Sequence, residues 1–170
     1  MTENALAVST GFDGQVFRRS LGNYASGVTV ITASIGEDLI GFTCQSFFSL
    51  SVDPPLVAFS VMASSTSYPK LRNARSFAIN ILASDQVNLS NQFAKSGTDK
   101  WFGVSWSSSE HGNPVLDGSV LTLDCTPYRE YEGGDHTLVV AHVEDITVND
   151  SASPLLFFRG KYAPIGQPQN

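Results

Sequence analysis

The sequence predicts a mainly β protein: an antiparallel closed sheet with helices at its flanks. About seven short apolar runs recur along the chain, several of them β-branched and bounded by Gly, Pro, Asn or Asp turns. Helical spacing is confined to a few brief stretches. Long apolar strands also expose unpaired edges, and closing the sheet removes them.

Length and composition fit one ordinary globular domain. A chain of 170 residues buries roughly 70% of its unfolded surface on folding. It is 42% apolar, 15% charged and 11% aromatic, with no internal repeat. The domain is expected to span 12–165, with 1–11 a mobile leader and 166–170 a tail. The net charge of −6 argues against nucleic acid or an anionic membrane as partner, because both recruit Lys and Arg. The N-terminus lacks the basic region and apolar run of a secretory signal. No window approaches the ~20 apolar residues that span a bilayer, so a cytoplasmic location is expected. Two cysteines, Cys44 and Cys125, with no CxxC, make neither a disulfide scaffold nor a zinc pattern.

The elements follow in order. Val16, Phe17, Leu21 and Tyr24 fall at helical spacing, with Asp13 as N-cap and Gly27 as the stop. GVTVITAS reads as a strand with Val28, Val30 and Thr32 on one face and Thr29, Ile31 and Ala33 on the other. Ile35 to Asp38 turns the chain into a partner strand, Leu39 to Cys44. Pro54-Pro55 ends the next segment, since proline cannot join a central ladder. Leu56 to Met62 is a continuous apolar strand. Thr66 or Ser67 caps a short helix carrying Tyr68, Leu71 and Ala74, with Pro69 in its first turn. SFAINIL is a strand, and Asp85 caps a helix through Val87, Leu89 and Phe93. Residues 98–114 form an irregular connection holding both tryptophans. Val120 to Tyr131 and His136 to Val148 are long strands joined by Glu132-Gly133-Gly134-Asp135, and PLLFFRGKY is a last strand.

One stretch stands out for chemistry. Gly41 to Ser51, GFTCQSFFSLS, crowds hydroxyls, an amide and a thiol around two aromatics. Thr43, Cys44, Gln45, Ser46, Ser49 and Ser51 are types that, with turn N–H groups, can hold a phosphate without a cation. The aromatics suit a flat ring. Asn80 is an amide inside an apolar strand, which needs partners if buried. The competing reading is turn formers plus a satisfied core asparagine, and residue types alone leave both open. In Gly133-Gly134-Asp135-His136-Thr137 the glycines permit close backbone approach, and the histidine can donate or accept a proton near neutrality. An ordinary Gly-rich hairpin is the alternative. His111 and His142 lack acidic or cysteine companions at ligand spacing, so no metal is expected. The Rossmann fingerprint and P-loop are absent.

Taken together, FRRSLGNYASGVTVITA, GFTCQSFFSLSVDPPLVAFSV, FAINIL, GGDHTL and PLLFFRGKY resemble the short-chain flavin reductases, the small components of two-component flavin-dependent monooxygenases. The resemblance runs from Phe12 to Tyr162, with the motifs in the family's order and spacing. GFTCQSF and DKWFGVSW look most like actinobacterial members serving aromatic or steroid-ring hydroxylases.

The resemblance implies an FMN-binding split barrel, a homodimer, and flavin near the subunit interface. It assigns the flavin to Thr43, Cys44, Gln45, Ser46, Ser49, Ser51, Ser65, Thr66, Asn80, Leu82 and Gln86. The nicotinamide of NADH falls to Gly134, Asp135, His136 and Thr137, with His136 placing the ring. FMN or FAD would be reduced by hydride transfer and would diffuse to a separate monooxygenase. Many members carry Ala-Asn where this chain has Cys44-Gln45, which leaves FMN against FAD open. NADH is favoured over NADPH because no arginine cluster for a 2′-phosphate can be placed in the sequence. A flavin carrier or electron-transfer protein on the same fold is the alternative.

Overall fold

The structure is a computed structural model that describes residues 11, 13–163 and 165. Apart from Gly11, the expected leader and tail lie outside the described residues. Strands dominate, as predicted. A seven-stranded antiparallel sheet runs in the order β3-β2-β6-β9-β10-β5-β4. These strands are β2 (Thr29–Ile35), β3 (Asp38–Cys44), β4 (Phe48–Ser51), β5 (Leu56–Met62), β6 (Phe77–Ile81), β9 (Leu121–Gly133) and β10 (His136–Val148). The sheet is open. β3 and β4 are its two edges, so the closed sheet predicted above is corrected to one whose ends approach without a shared ladder.

The wrap comes from the two 13-residue strands. β9 pairs with β6 only over Leu121–Cys125, and β10 pairs with β5 only over His136–His142. The β9–β10 ribbon is thus shared by two half-sheets offset along it. Register shifts at Val140/Ala141 and Val143/Asp145 add local twist where the ribbon turns. Ser46 spans the remaining gap. Its hydroxyl donates to Ser60 O at 2.8 Å and accepts from Ser60 N at 3.0 Å, tying the end of β3 to β5 through one side chain.

The alternation read from GVTVITAS holds. Ile31 and Ala33 face a core with Phe42, Phe59, Phe77, Ile79 and Val139. Val28 and Val30 face a second core with Leu82, Phe93, Leu116 and Leu155. Both faces of β2 are buried because helix α3 (Val87–Ala94) and the hairpin β7 (Trp106–Ser108) with β8 (Pro114–Leu116) belong to its outer side. That hairpin replaces much of the irregular connection expected over 98–114; Gly112, at φ 80°, lies in its turn. Similarly, PLLFFRGKY is two strands, β11 (Leu156–Phe158) and β12 (Lys161–Ala163), because Arg159 and Gly160 take left-handed angles of 49° and 77°. β11 pairs with β1 (Ser26–Gly27).

Helix ends differ from expectation. α1 spans Gly14–Leu21 and Asp13 caps it by accepting from Gln15 N, but it stops at Gly22, leaving Gly27 in β1. Its apolar stripe packs on no core: Val16, Phe17 and Leu21 are all exposed, and the following Tyr24 is 81% exposed. Ser67 is the N-cap residue of α2 (Tyr68–Leu71), as expected, but its side chain makes no capping bond; Ser65 Oγ accepts from Tyr68 N at 3.2 Å instead. Ahead of α3, Gln86 replaces Asp85: its amide oxygen accepts from Ala83 N at 2.8 Å and its amide nitrogen donates to Asp117 O at 2.8 Å. Among the described residues, no helix is long and apolar enough to cross a membrane.

Asn80 is fully buried and fully bonded. Its Nδ2 donates to Val30 O and Thr32 Oγ1, and its Oδ1 accepts from Leu116 N and Thr122 Oγ1. It joins β2, β8 and β9 through one side chain. Asn80→Ala strands several buried groups and is expected to cost roughly 3 kcal/mol, measured as a lowered midpoint in urea unfolding. An unchanged midpoint with weakened flavin binding would instead assign Asn80 to the ligand.

Candidate active site

The gap between the sheet's edges opens into a cavity of about 510 Å³, within the range that holds a small-molecule cofactor. Each wall follows from the local fold. β3 brings Phe42, Thr43 and Cys44 to the gap, and Gln45 and Ser46 cross it. β5 returns with Ser60, Val61 and Met62, and the turn Ser64–Ser67 follows. Phe93, at the end of α3, and Lys100 close another side, and His136 stands at the start of β10. A Cβ on Gly41 would sit 2.4 Å from Phe93 Cε1, so only glycine lets that ring take its place.

Lys100 is the cavity's cation. Its ammonium donates to Phe93 O at 2.9 Å and Gly41 O at 3.1 Å, and lies 3.4 Å from Ser67 Oγ. Partial burial pulls its pKa down, yet the carbonyls hold it beside the hydroxyls of the Ser64–Ser67 turn. The sequence reading missed this lysine, although it sits in the DKWFGVSW stretch, where Asp99 and Lys100 adjoin three aromatics. It also missed Ser60, Ser64, Ser67 and Phe93, whose relevance depends on chain crossings far apart in sequence.

At the rim, His136 Nδ1 lies 2.7 Å from Asp135 Oδ1. The hydrogen bond from the ring, and then its charge, hold the Asp135 carboxyl below its usual range. Pairing Nδ1–H with the carboxylate leaves Nε2 as the nitrogen that can meet a ligand. The other histidines also have a carboxylate each: His111 with Asp124 at 3.4 Å and His142 with Glu144 at 3.1 Å. Among the described residues no three His, Cys, Asp or Glu side chains group as a metal site.

Of the residues expected at the site, Thr43, Cys44, Gln45, Ser46, Ser65, Thr66 and His136 line the cavity together. Gln45 and Thr66 are exposed, whereas Thr43 donates to Ser90 O at 2.6 Å. The others stand apart. Ser49 and Ser51 lie along the edge strand β4. Asn80 and Leu82 are wholly buried, and Gln86 is engaged with Ala83 and Asp117. Gly134, at φ 72°, and Asp135 make the turn that delivers His136, and Thr137 is paired with Val61 and Glu132 in the ladder.

The donor set fits a phosphorylated flat ring: hydroxyls and one ammonium at one end, Phe42 and Phe93 among the lining, and a histidine on the rim. The sequence model of the flavin reductase like domain matches residues 21–166, and the chain belongs to that family. It is 38% identical over 160 residues to the reductase subunit HsaB of a flavin-dependent monooxygenase from Mycobacterium tuberculosis, covering 93% of this chain and 86% of that one. A flavin reductase of Pseudomonas putida is 38% identical over 156 residues, covering 91% and 92%. Among solved structures, nitrilotriacetate monooxygenase component B from Mycobacterium thermoresistibile superposes with a TM-score of 0.88 at 39% identity, covering 92% and 88%. The NADH:FAD oxidoreductase SgcE6 of Streptomyces globisporus C-1027, in complex with NAD and FAD fragments, gives 0.87 at 32% identity, covering 92% and 96%.

Cys44, on the cavity wall, and Cys125, in the core, are free and buried. Burial raises both thiols above the ordinary value of 9.0. The neutral thiols are therefore favoured by folding, while unfolded thiols ionise from about pH 9. Their stabilising effect is complete below pH 9 and is lost as pH rises toward the folded values. Stability by urea unfolding should fall steadily above pH 9, and Cys44→Ala/Cys125→Ala should flatten that slope.

Proposed function

We propose that the protein is an NADH-dependent flavin reductase that supplies reduced flavin to a separate flavin-dependent monooxygenase. The observation that carries this reading is one cavity with a hydroxyl-and-lysine end and a histidine rim, on a chain of the flavin reductase family. When bound, flavin supplies a ring that accepts hydride and the nicotinamide supplies the hydride.

The chain's own residues bind and orient. Gln45 and the backbone around Cys44-Gln45-Ser46 meet the polar edge of the ring, and Phe93 gives it an apolar wall. Ser64 to Ser67 and Lys100 take the phosphate: short hydroxyls supply hydrogen bonds, and the ammonium, already fixed by two carbonyls, supplies charge without losing further freedom. His136 Nε2, oriented by Asp135, positions the nicotinamide amide against the ring. Holding the two rings in register is the main catalytic contribution, and it needs no protein nucleophile.

The architecture is read as a split barrel, the split being the β3–β4 gap. The working unit is a homodimer: exposed Val16, Phe17 and Leu21 on α1, Tyr24 just after it, and Phe48, Leu50 and Val52 at β4 form the kind of apolar surface that a second copy covers. The protein is placed in the cytoplasm, where reduced nicotinamide is made. Its reduced flavin leaves by diffusion, and the partner oxygenase acts on an aromatic or steroid-ring substrate.

Purified protein should oxidise NADH when FMN or FAD is added; no turnover with any flavin and either nicotinamide overturns the reading. A stoichiometric flavin that never exchanges would point to a carrier instead. Lys100→Met should raise the KM for FMN roughly tenfold while leaving riboflavin, which has no phosphate, nearly unaffected. His136→Ala should raise the KM for NADH by a similar factor of about ten without altering flavin affinity, and equal losses for both ligands would contradict its role.

A further inference from the structure

Lys100 reaches the cavity from a stretch that packing alone does not aim. Residues 94–99 are exposed, as are Phe102 and Gly103. Gly97 and Gly103, at φ 72° and 69°, turn the chain on either side of the lysine. Trp101 is anchored by its ring, edge-on to Phe93 at 5.0 Å and to Trp106 at 5.9 Å. That packing places the tryptophan and leaves the direction of the neighbouring lysine open.

Lys100 has room on two sides. It lines the main cavity and, with Thr66 and Ser67, a second hollow of about 360 Å³ whose walls include Asp38, Lys70 and Asp99. An ammonium on a flexible four-carbon stem follows whichever acceptors are offered. Space therefore lets it turn toward the carboxylates of Asp38 and Asp99, away from the cavity.

One side chain meets the backbone on both flanks of Trp101. Gln92 Nε2 donates to Lys100 O at 3.0 Å and to Phe102 O at 2.9 Å. Both partners are acceptors, so the amide must present its NH2 group, and each of its N–H bonds is used. Gln92 precedes Phe93, whose carbonyl in the last turn of α3 accepts from the Lys100 ammonium at 2.9 Å. A cation is favoured at that end of a helix. Consecutive residues of α3 thus hold Lys100 by its main chain and by its side chain. Asp99 Oδ1 accepts from Trp101 N at 3.0 Å, which shapes the turn without tying it to α3. The polar neighbours on the helix serve the scaffold: Ser90 Oγ and Asn91 Oδ1 accept from Tyr162 OH at 3.0 and 2.8 Å, docking β12.

We propose that Gln92 is a positioning residue for phosphate recognition. Its amide braces the backbone of Lys100 and Phe102, so that the ammonium faces the Ser64–Ser67 turn rather than Asp38 and Asp99. The inference rests on the reductase reading above, in which Lys100 takes the flavin phosphate. Gln92 is not among the residues that line the cavity, so its effect passes through the lysine.

The test is steady-state kinetics of the full chain at saturating NADH, with FMN and with phosphate-free riboflavin as alternative flavins. Gln92→Met keeps the length of the side chain and removes both donors. It is expected to raise the KM for FMN about fivefold, through KM rather than kcat, and to leave the KM for riboflavin where it was. In a Lys100→Met background the same change should raise the KM for FMN no further, because members of one network do not act additively. Full additivity shows that Gln92 acts apart from the lysine and overturns the proposal. A matching rise for riboflavin marks general loosening of the cavity and overturns it, as does an equal rise for FMN in Asn91→Ala, one residue away on α3. An FMN KM that Lys100→Met itself leaves unmoved overturns it too. Gln92 is partly exposed, so Gln92→Ala, which opens the two carbonyls to water, carries the same test if Gln92→Met folds poorly. Wild-type turnover with an unaltered FMN KM in the Gln92 variants sinks this inference alone, whereas no wild-type turnover sinks the reductase reading with it.

Discussion

The paired hydrogen bonds between Ser46 and the backbone of Ser60 govern how the sheet meets itself. A sheet whose edges pair directly has no space between them; one whose edges separate freely has no cavity. One hydroxyl, donating at 2.8 Å and accepting at 3.0 Å, ties the segment leaving edge strand β3 to β5, the neighbour of edge strand β4, without a backbone ladder. The gap it spans is where Gln45, the Ser64–Ser67 turn and Lys100 converge. Stability and site therefore meet at one contact, because Ser46 and Ser60, which it joins, both line the cavity.

The interior supports this arrangement from two sides. Asn80 satisfies Val30, Thr32, Leu116 and Thr122 at once, fixing β2 and the β7–β8 hairpin against β9. A buried amide with all its groups paired specifies register more strictly than an apolar side chain, since any slip leaves donors and acceptors stranded. Phe93 then packs into the space that Gly41 leaves, and Trp101 stacks edge-on at 5.0 Å. Lys100, next in the chain to Trp101, is carried to the cavity by that aromatic packing.

Much of the fold was legible because periodicity reports burial. β2, β3, β5, β6, β9 and β10 follow from β-branched runs and turns, and Asp13 caps α1 as its side-chain chemistry suggests. Ser67 caps α2 by position, whereas the cap of α3 falls one residue after Asp85. Ser65, Thr66 and Ser67 all offer oxygens, and only the path of the chain decides that Ser65 Oγ meets Tyr68 N, while Gln86 turns its amide oxygen back to Ala83 N and makes no side-chain bond to α3. The β11–β12 hairpin was hidden because Arg159 takes a left-handed angle that its side chain does not advertise. Thr43, Cys44, Gln45, Ser46, Ser65, Thr66 and His136, which line one cavity, are singled out by local residue types and family resemblance. Asn80 was noticed for the right reason, a polar group in an apolar strand, yet the same signal marks a structural network.

By itself, the sequence determined a mainly β domain, most of its strands and their alternation, and the GFTCQSF and GGDHT stretches, since each is encoded by neighbours a few residues apart. The tertiary structure alone decided that the sheet stays open and that Lys100 enters the cavity. Those outcomes depend on contacts between segments distant in the chain, where packing and the satisfaction of backbone groups decide and local pattern carries no information.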